Sequence, residues 1–272
     1  MSQWRMQMAG PERVAAVAPK FIELEVLANQ QVSPHVRRVT LGGDEVSAMT
    51  PQGFDQWFRF FMRREGQQRL RVPKSPSTWF PQYLAMSASS RPWVRNYTVR
   101  DARLAAGELD IDFVCHEDPG PGAAWAGRAE RGERAVLLDE GLLYNDDGLP
   151  GDVLLVGDES AMPAIAGICG SLDPSVRGVA LIEVGHRDDI QPIRRPDGVD
   201  VRWIERGEAR AGDASLEELR GLRLSGDLGY AYSAGEQLLA TGTRRHLVRD
   251  RGMDKQRITF TGYWKLGKAY VS

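Results

Sequence analysis

The sequence lacks long hydrophobic runs and has few cysteines. No stretch approaches the roughly 18 apolar residues that a membrane-spanning helix needs. The first thirty residues also lack the basic segment followed by an apolar segment that is typical of a signal peptide. We therefore expect a cytoplasmic protein without a membrane span. The spacing of Cys115 and Cys169 matches no metal or redox motif, so we expect both to be reduced packing residues.

An excess of one charge is also absent, because the formal net charge is only −2 over 272 residues. A protein that coats nucleic acid needs a basic excess to release phosphate counterions, which argues against that class. Basic residues are nevertheless concentrated near the carboxyl terminus, at Arg244, Arg245, Arg249, Arg251, Lys255, Arg257, Lys265 and Lys268. This segment is either a solvated helix face or a surface that meets an anionic ligand or an acidic protein.

The first half of the chain contains short segments that favour β-strands. Residues 21–27 alternate apolar and polar side chains, as a strand with one buried face does. Further candidate strands are residues 36–41, 54–62, 95–100 and 108–115. Short strands separated by turn residues predict an antiparallel barrel, and residues 1–20 form a loosely docked lead-in to it.

The pattern changes near residue 150. Residues 152–158 form an apolar run without alternation, which is typical of a strand buried on both faces of a parallel sheet. Candidate helices at 160–172, 215–222 and from Gly235 alternate with candidate strands at 179–184, 201–204 and 228–233. This alternation predicts a doubly wound α/β domain. Turn-forming residues cluster between Asp146 and Asp152, so we place the two domains at residues 21–148 and 149–272.

One segment of the predicted barrel, Arg95-Asn96-Tyr97-Thr98, carries residue types that suit a flavin nucleotide. A tyrosine ring stacks on a planar cofactor, a guanidinium binds phosphate bidentately, and a hydroxyl exchanges a hydrogen bond at a reacting edge. The alternative is a barrel strand in which these residues serve packing alone.

A second segment leaves a predicted strand and enters a predicted helix. Its candidate cofactor residues are Val114, His116, Gly120, Gly122, Ala123, Ala124 and Trp125. N–H groups at a helix N-terminus bind diphosphate, and glycines allow the ligand to approach closely. A lone histidine is more typically a surface or packing residue, but here we expect His116 near the flavin or its ribityl chain.

Taken in order, these motifs resemble those of the siderophore-interacting proteins, which are FAD-dependent ferric-siderophore reductases of the ferredoxin reductase-like superfamily. The resemblance runs from about Phe21 to Lys268, and its landmarks are Arg95–Arg100, Asp112–Ala126, Leu154–Ile165, Gly235-Glu236 and Gly262–Gly267. It implies a six-stranded FAD-binding antiparallel β-barrel followed by a doubly wound NAD(P)-binding domain. It also implies that electrons pass from NAD(P)H or ferredoxin through FAD to a ferric siderophore, which releases Fe(II).

The resemblance also assigns roles to individual residues. Tyr97 and Thr98 would contact the isoalloxazine at the catalytic centre, and Arg95 would bind the FAD pyrophosphate. The NAD(P)H residues would be Gly157, Asp158, Glu159, Ser160, Ala161, Glu183, Gly235 and Glu236. Glu183 could hold a ribose hydroxyl, whereas the neighbouring His186 and Arg187 could hold a 2′-phosphate, so NADH and NADPH both remain open.

Family members hold anionic catecholate or hydroxamate ferric chelates with basic side chains, and the corresponding residues here are Arg59, Lys265 and Lys268. We expect no resident metal, because iron is met only inside its chelate. Two positions depart from the family pattern. Ala123 stands in the pyrophosphate loop where the family has a serine, and Glu140 lies where it has Gly-Pro.

Two other functions remain open. The chain could be a flavin oxidoreductase fed by ferredoxin, with its basic carboxyl-terminal segment docking the acidic carrier. It could also be a siderophore-binding protein without catalysis, for which Ala123 and Glu140 would be the first signs. In each case we expect a monomer that binds no nucleic acid.

Overall fold

The computed structural model describes residues 11–224 and 227–268. Residues 1–10 of the expected lead-in and the last four residues of the second expected domain lie outside this range. The contacts divide the described residues into two compact units. We call Ala15–Leu142 the barrel unit, and Leu143 onward, with residues 11–14, the α/β unit.

Asn145 shows why the α/β unit begins before the turn-rich stretch. Its backbone N–H donates to the Tyr230 hydroxyl at 3.0 Å, and its side-chain amide donates to the Glu12 carbonyl at 3.1 Å. These bonds fasten the chain to the α/β unit directly after Leu143. The limits of the functional domains at residues 148 and 149 stay a prediction.

The described part of the barrel unit contains one antiparallel sheet and two α-helices. Its strands are β1 (Phe21–Ser33), β2 (Val36–Gly42), β3 (Trp57–Met62), β4 (Trp93–Thr98), β5 (Asp101–Arg103), β6 (Glu108–Val114) and β7 (Arg134–Gly141), and its helices are α1 (Trp79–Ala85) and α2 (Pro121–Arg128). The strand order is β4-β3-β7-β1-β2-β6-β5. The antiparallel architecture is confirmed, but the sheet has seven strands where we expected six, because the short β5 pairs with β6.

The sheet curls on itself, because β4 at one edge also packs against β6 near the other edge. The Tyr97 and Phe113 rings have centroids 4.4 Å apart, and the Arg100 N–H donates to the Asp110 carbonyl at 2.9 Å. Fully buried aromatic rings fill the interior, with Phe60 and Trp125 only 5.1 Å apart. Each such ring contributes on the order of 2–3 kcal/mol by leaving water.

The α/β unit is built around a five-stranded parallel sheet. Its strands are β8 (Asp152–Gly157), β9 (Gly178–Val184), β10 (Val199–Glu205), β11 (Leu228–Glu236) and β12 (Ile258–Trp264), and its helices are α3 (Met162–Ser171), α4 (Asp213–Gly221) and α5 (Gln237–Arg249). Every pairing is parallel, in the order β10-β9-β8-β11-β12. The predicted alternation of strands and helices is confirmed. Across the described residues of both units, no helix is long and apolar enough to cross a membrane.

The direction of winding reverses between β8 and β11, which are neighbours in the sheet. From β8 the chain moves outward through β9 and β10, and then it returns to β11 and moves outward on the other side. In doubly wound sheets, ligands bind at the carboxyl ends of the strands where this reversal occurs. In this chain that position lies directly beyond Gly157 and Gly235.

Both cysteines are free thiols, as we expected. Cys169 is buried in α3, where burial raises its pKa to about 12, so the thiol stays protonated. Cys115 is partly buried, and burial raises its pKa as well. A protonated thiol is a poor nucleophile and a poor metal ligand, so both cysteines act as packing residues.

Candidate functional site

Strand β4 presents the predicted flavin residues on its two faces. Side chains alternate along a strand, so Arg95 and Tyr97 share one face while Asn96 and Thr98 share the other. The Tyr97 ring packs toward the barrel interior, with its centroid 5.9 Å from that of Phe60. The motif therefore acts on two sides of the strand and does not form a single surface.

The N-terminus of α2 meets Tyr97 at Gly122. The first helical bond runs from the Ala124 N–H to the Gly120 carbonyl at 2.9 Å, so the N–H groups of Gly122 and Ala123 have no acceptor within the helix. A Cβ atom on Gly122 would lie 1.9 Å from the Tyr97 hydroxyl oxygen. Only glycine therefore fits beneath this tyrosine, and the first turn of α2 packs directly against the Tyr97 side chain.

Arg95 brings a partly desolvated cation to the same face as Tyr97. Its Nη1 donates to the Val94 carbonyl at 2.7 Å, and its guanidinium lies 5.4 Å from the centre of the Trp93 ring. Burial lowers the pKa of Arg95 and raises that of Tyr97, so Tyr97 remains a neutral phenol. A guanidinium and unsatisfied helix N–H groups are donors that suit a pyrophosphate.

The other residues expected at the flavin have different positions. Trp125 is fully buried, and its ring packs on Phe60 and Phe113 in the barrel core. Val114 ends β6 half-buried, whereas His116 and Ala124 are exposed on the surface. Their contact with FAD stays a prediction.

In the α/β unit, Asp158 joins three of the segments that the sequence singles out. Its Oδ1 accepts from the Ser160 N–H at 2.9 Å and from the Ser160 hydroxyl at 2.5 Å. Its Oδ2 accepts from the Glu236 N–H at 2.6 Å and from the Trp264 indole N–H at 2.8 Å. The turn after β8, the end of β11 and the carboxyl-terminal segment therefore converge on one fully buried carboxylate.

Two neighbours complete this cluster. Gly235 has a φ of 119°, and a Cβ atom on it would lie 2.5 Å from the Asp158 carboxyl carbon. Glu236 is fully buried and caps α5, because its side chain accepts from the N–H groups of Leu238 and Leu239, and it also accepts from the Leu266 N–H at 3.2 Å. Both carboxylates are buried and bound internally, and the expected contacts of Asp158 and Glu236 with the nucleotide stay a prediction.

Glu183 is likewise held by internal donors, and its expected contact with a ribose hydroxyl stays a prediction. Its carboxylate is fully buried and accepts from Arg206 Nε at 2.7 Å and from the backbone N–H groups of Gly212 at 2.8 Å and Ser215 at 3.1 Å. Arg206, which the sequence reasoning missed, also forms an ion pair with Glu159. Its one sequence signal is a basic residue two positions after the predicted strand at 201–204.

The candidate substrate residues Lys265 and Lys268 lie in a tight turn. The Lys268 N–H donates to the Lys265 carbonyl at 3.1 Å, and Gly267 between them has a φ of 74°. The bonds of Trp264 to Asp158 and of Leu266 to Glu236 fix this turn at the carboxyl ends of the strands. The same end of the sheet carries Ala161, buried at the start of α3.

Arg59, the third candidate substrate residue, lies in the barrel unit and is paired with an acidic side chain. It forms an ion pair with Glu140, and its guanidinium carbon lies 4.5 Å from the centre of the Trp79 ring and 5.3 Å from that of Trp57. Its side chain is only 16% exposed. The positive charge is therefore present but neutralised.

Comparison with known protein families finds a match in each of the two units. The siderophore-interacting FAD-binding domain matches residues 25–141, and the siderophore-interacting protein domain matches residues 150–267. The uncharacterized protein Rv2895c of Mycobacterium tuberculosis is 33% identical over 256 residues, which cover 90% of each chain. This chain belongs to the siderophore-interacting protein family.

Two further relatives of this family member are informative. The ferric vibriobactin reductase ViuB of Vibrio cholerae is 28% identical, over 94% of this chain and 92% of its own. The crystal structure of a siderophore utilization protein from T. fusca matches with a TM-score of 0.81 at 25% identity, over 96% of this chain and 99% of that chain. The barrel unit is thus an FAD-binding domain, and the findings support a flavin-dependent oxidoreductase connected with siderophores.

The hydrogen bond of Trp264 to Asp158 gives a prediction that depends on pH. Burial, and after it the neighbouring Glu159 carboxylate, raises the pKa of Asp158 to about 6. Because Asp158 binds its proton more tightly in the folded than in the unfolded protein, it stabilises the fold below pH 3.8, and this stabilisation is lost as the pH rises to about 6. Above pH 6 Asp158 is charged, and the hydrogen bond from the Trp264 indole offsets part of the cost of burying this charge. Trp264→Phe should therefore lower the free energy of unfolding by about 1 kcal/mol more at pH 8 than at pH 5, which is the difference between a hydrogen bond to a charged and to a neutral carboxyl group.

Urea unfolding at both pH values measures this difference. Trp203→Phe is the matched control, because Trp203 lies on β10 at the other edge of the same sheet. The control loses only indole packing and should show an equal cost at both pH values. Equal costs for Trp264→Phe would show that Asp158 does not depend on the indole.

Proposed function

We propose that this family member is an FAD-dependent ferric-siderophore reductase, which takes electrons from NADH or NADPH in the cytoplasm. The observation that carries the proposal is the fit of Gly122 beneath Tyr97 at the N-terminus of α2, within the FAD-binding domain. Similarity to ViuB, a ferric vibriobactin reductase, supports a ferric chelate as the electron acceptor.

In this proposal the barrel unit binds and orients FAD. The N–H groups of Gly122 and Ala123 and the guanidinium of Arg95 bind the pyrophosphate, while neutral Tyr97 and the nearly buried Thr98 contact the ring system. Bound FAD would accept a hydride from a nicotinamide and pass single electrons to ferric iron. The residues supply position and charge, and the redox chemistry belongs to the cofactor.

The reductant would bind at the carboxyl ends of β8 and β11. A Cβ atom on Gly157 would lie 2.7 Å from that of Ala161, so the chain turns tightly here and leaves the backbone close to the crevice. Asp158 and Glu236 act indirectly, by fixing the strand ends. His186 and Arg187 are exposed beyond β9, where a 2′-phosphate would lie, so a preference for NADPH is tested directly by comparing the two nucleotides.

The direct test of this function is the formation of Fe(II), detected with a ferrous-specific chromogenic chelator. FAD-loaded protein, NADH or NADPH, and a ferric siderophore should give Fe(II) at a rate proportional to protein. Slow oxidation of both nucleotides but rapid turnover with reduced ferredoxin would favour the ferredoxin-fed oxidoreductase. Tight chelate binding without Fe(II) from any reductant would favour a binding protein.

Lys265 is the basic residue that we expect to contribute most to chelate binding. Lys265→Ala should raise the KM for an anionic ferric chelate about tenfold and leave kcat nearly unchanged, because it removes binding that is equal in the ground and transition states. Arg245→Ala, which removes an exposed cation from α5, is the control and should change neither constant. An unchanged KM in Lys265→Ala would contradict the assignment.

A further inference from the structure

The Arg59–Glu140 pair fixes the charge of one surface of the barrel unit. The two side chains are 16% and 22% exposed, so the pair lies at the surface but is partly shielded from water. Arg59 Nη1 also lies 3.5 Å from the Asn96 side-chain oxygen. A partly shielded pair holds its geometry better than a solvated one and is screened less by salt.

Glu140 lies in an irregular stretch of β7, on the same face of the sheet as Arg59. Arg59 pairs directly with Leu138, and Glu140 is two residues beyond Leu138, so the alternation of β7 puts its side chain on that face. Asp139 pairs with Phe58 and Gly141 pairs with Trp57, which leaves Glu140 as an extra residue, a β-bulge, without a partner on β3. The backbone of β7 therefore holds the Glu140 side chain beside Arg59.

The residues beside the bulge hold it in place. Asp139 accepts from the Gln56 amide at 2.9 Å and from the Gly141 N–H at 3.0 Å, and Gly141 has a φ of 84° that favours glycine. Both anchors lie within the barrel unit. Replacing Glu140 by glutamine changes the charge without removing either anchor.

The neutralised pair lies on the same face of the sheet as Thr98. Arg59 is directly opposite Asn96, and Trp57 is directly opposite Thr98, so these four side chains share one face. The proposed function places the flavin ring system against Thr98, and we take this contact to be at its reacting edge. A ferric chelate that approaches this edge would meet the Arg59–Glu140 pair.

Ferric chelates differ in charge by their ligand class. Ferric iron bound by three catecholates carries three net negative charges, whereas ferric iron bound by three hydroxamates is neutral. A solvated Arg59 would attract the first class strongly and the second hardly at all. We propose that Glu140, by neutralising Arg59, makes this reductase select ferric tris-hydroxamates over tris-catecholates, an inference that rests on the proposed function.

The test compares kcat/KM for two hexadentate probes, a neutral ferric tris-hydroxamate and a trianionic ferric tris-catecholate. The wild-type protein should favour the hydroxamate. Glu140→Gln should raise kcat/KM for the catecholate about tenfold, as expected for one restored charge about 8 Å from three in a water-like dielectric, and should leave the hydroxamate within about twofold. Raising the salt to about 0.5 M should remove most of the gain.

Two further variants keep the result interpretable. Glu133→Gln, which releases Arg63 from an equivalent pair of 2.8 Å on the same unit, makes the same charge change elsewhere and should not alter the ratio. The double variant Arg59→Gln/Glu140→Gln carries neither charge and should return to the wild-type ratio. An unchanged ratio in Glu140→Gln, or a shift of equal size in Glu133→Gln, overturns the inference alone. Failure of the wild type to reduce either probe overturns the proposed function as well.

Discussion

Arg206→Met should lower the free energy of unfolding by about 3–5 kcal/mol, because it leaves the buried Glu183 carboxylate without a counter-charge. Glu183 is fully buried and receives the Arg206 Nε at 2.7 Å, and Glu159 pairs with the same guanidinium. Methionine fills similar space but carries no charge. Two carboxylates would then share a desolvated region with only backbone donors to stabilise them.

Urea unfolding of Arg206→Met beside Arg202→Met measures this effect. Arg202 lies on β10, which ends one residue before Arg206, and it pairs with Asp200 and Glu218. Its side chain is 42% exposed, so its loss should cost no more than about 1 kcal/mol. The double variant Arg206→Met/Glu183→Gln should recover part of the loss. Equal costs for the two arginine variants would mean that the Glu183 cluster is effectively solvated.

Gly122→Ala should weaken FAD binding by at least about tenfold, which corresponds to about 1.4 kcal/mol. The added Cβ would lie 1.9 Å from the Tyr97 hydroxyl oxygen. Tyr97 cannot retreat easily, because its ring already lies 4.4 Å from that of Phe113 and 5.9 Å from that of Phe60. Either the ring or the start of α2 must move, and both belong to the proposed flavin site.

Gly127→Ala provides the matched control in the same helix. A Cβ atom at Gly127 has no neighbour within 4 Å, so alanine there should preserve FAD affinity and stabilise the helix by up to about 1 kcal/mol. Titration of the apoprotein with FAD, followed by flavin fluorescence, gives both affinities. Wild-type affinity in Gly122→Ala would show that the contact of α2 with Tyr97 is not part of the flavin site.

Periodicity in the sequence predicts the two architectures well, because it reports which faces of a strand or helix are buried. The apolar run at residues 152–158 becomes the central strand β8 of the parallel sheet. The short β5, the inner strand β7 and the edge strand β12 escape prediction. Three residues give too short a period, and β12 is buried mainly at its first two residues, Ile258 and Thr259.

The candidate site is harder to predict than the fold, because the order of residues in the sequence does not show which polar groups form hydrogen bonds with each other. Asp158 and Trp264 are 106 residues apart, yet they share a hydrogen bond. Glu183 suggests a ribose ligand by its place at a strand end, but Arg206 and two backbone N–H groups occupy its carboxylate. Arg59 and Glu140 are 81 residues apart, and the sequence does not show the register that brings β3 and β7 together.

The visible spectrum of the purified protein under anaerobic conditions tests the central claim most directly. The account predicts a flavin absorption band that bleaches when NADH or NADPH is added and returns when a ferric siderophore follows. The band should return together with stoichiometric Fe(II), two per flavin, because FAD carries two electrons. A colourless protein that also fails to take up added FAD would contradict the account.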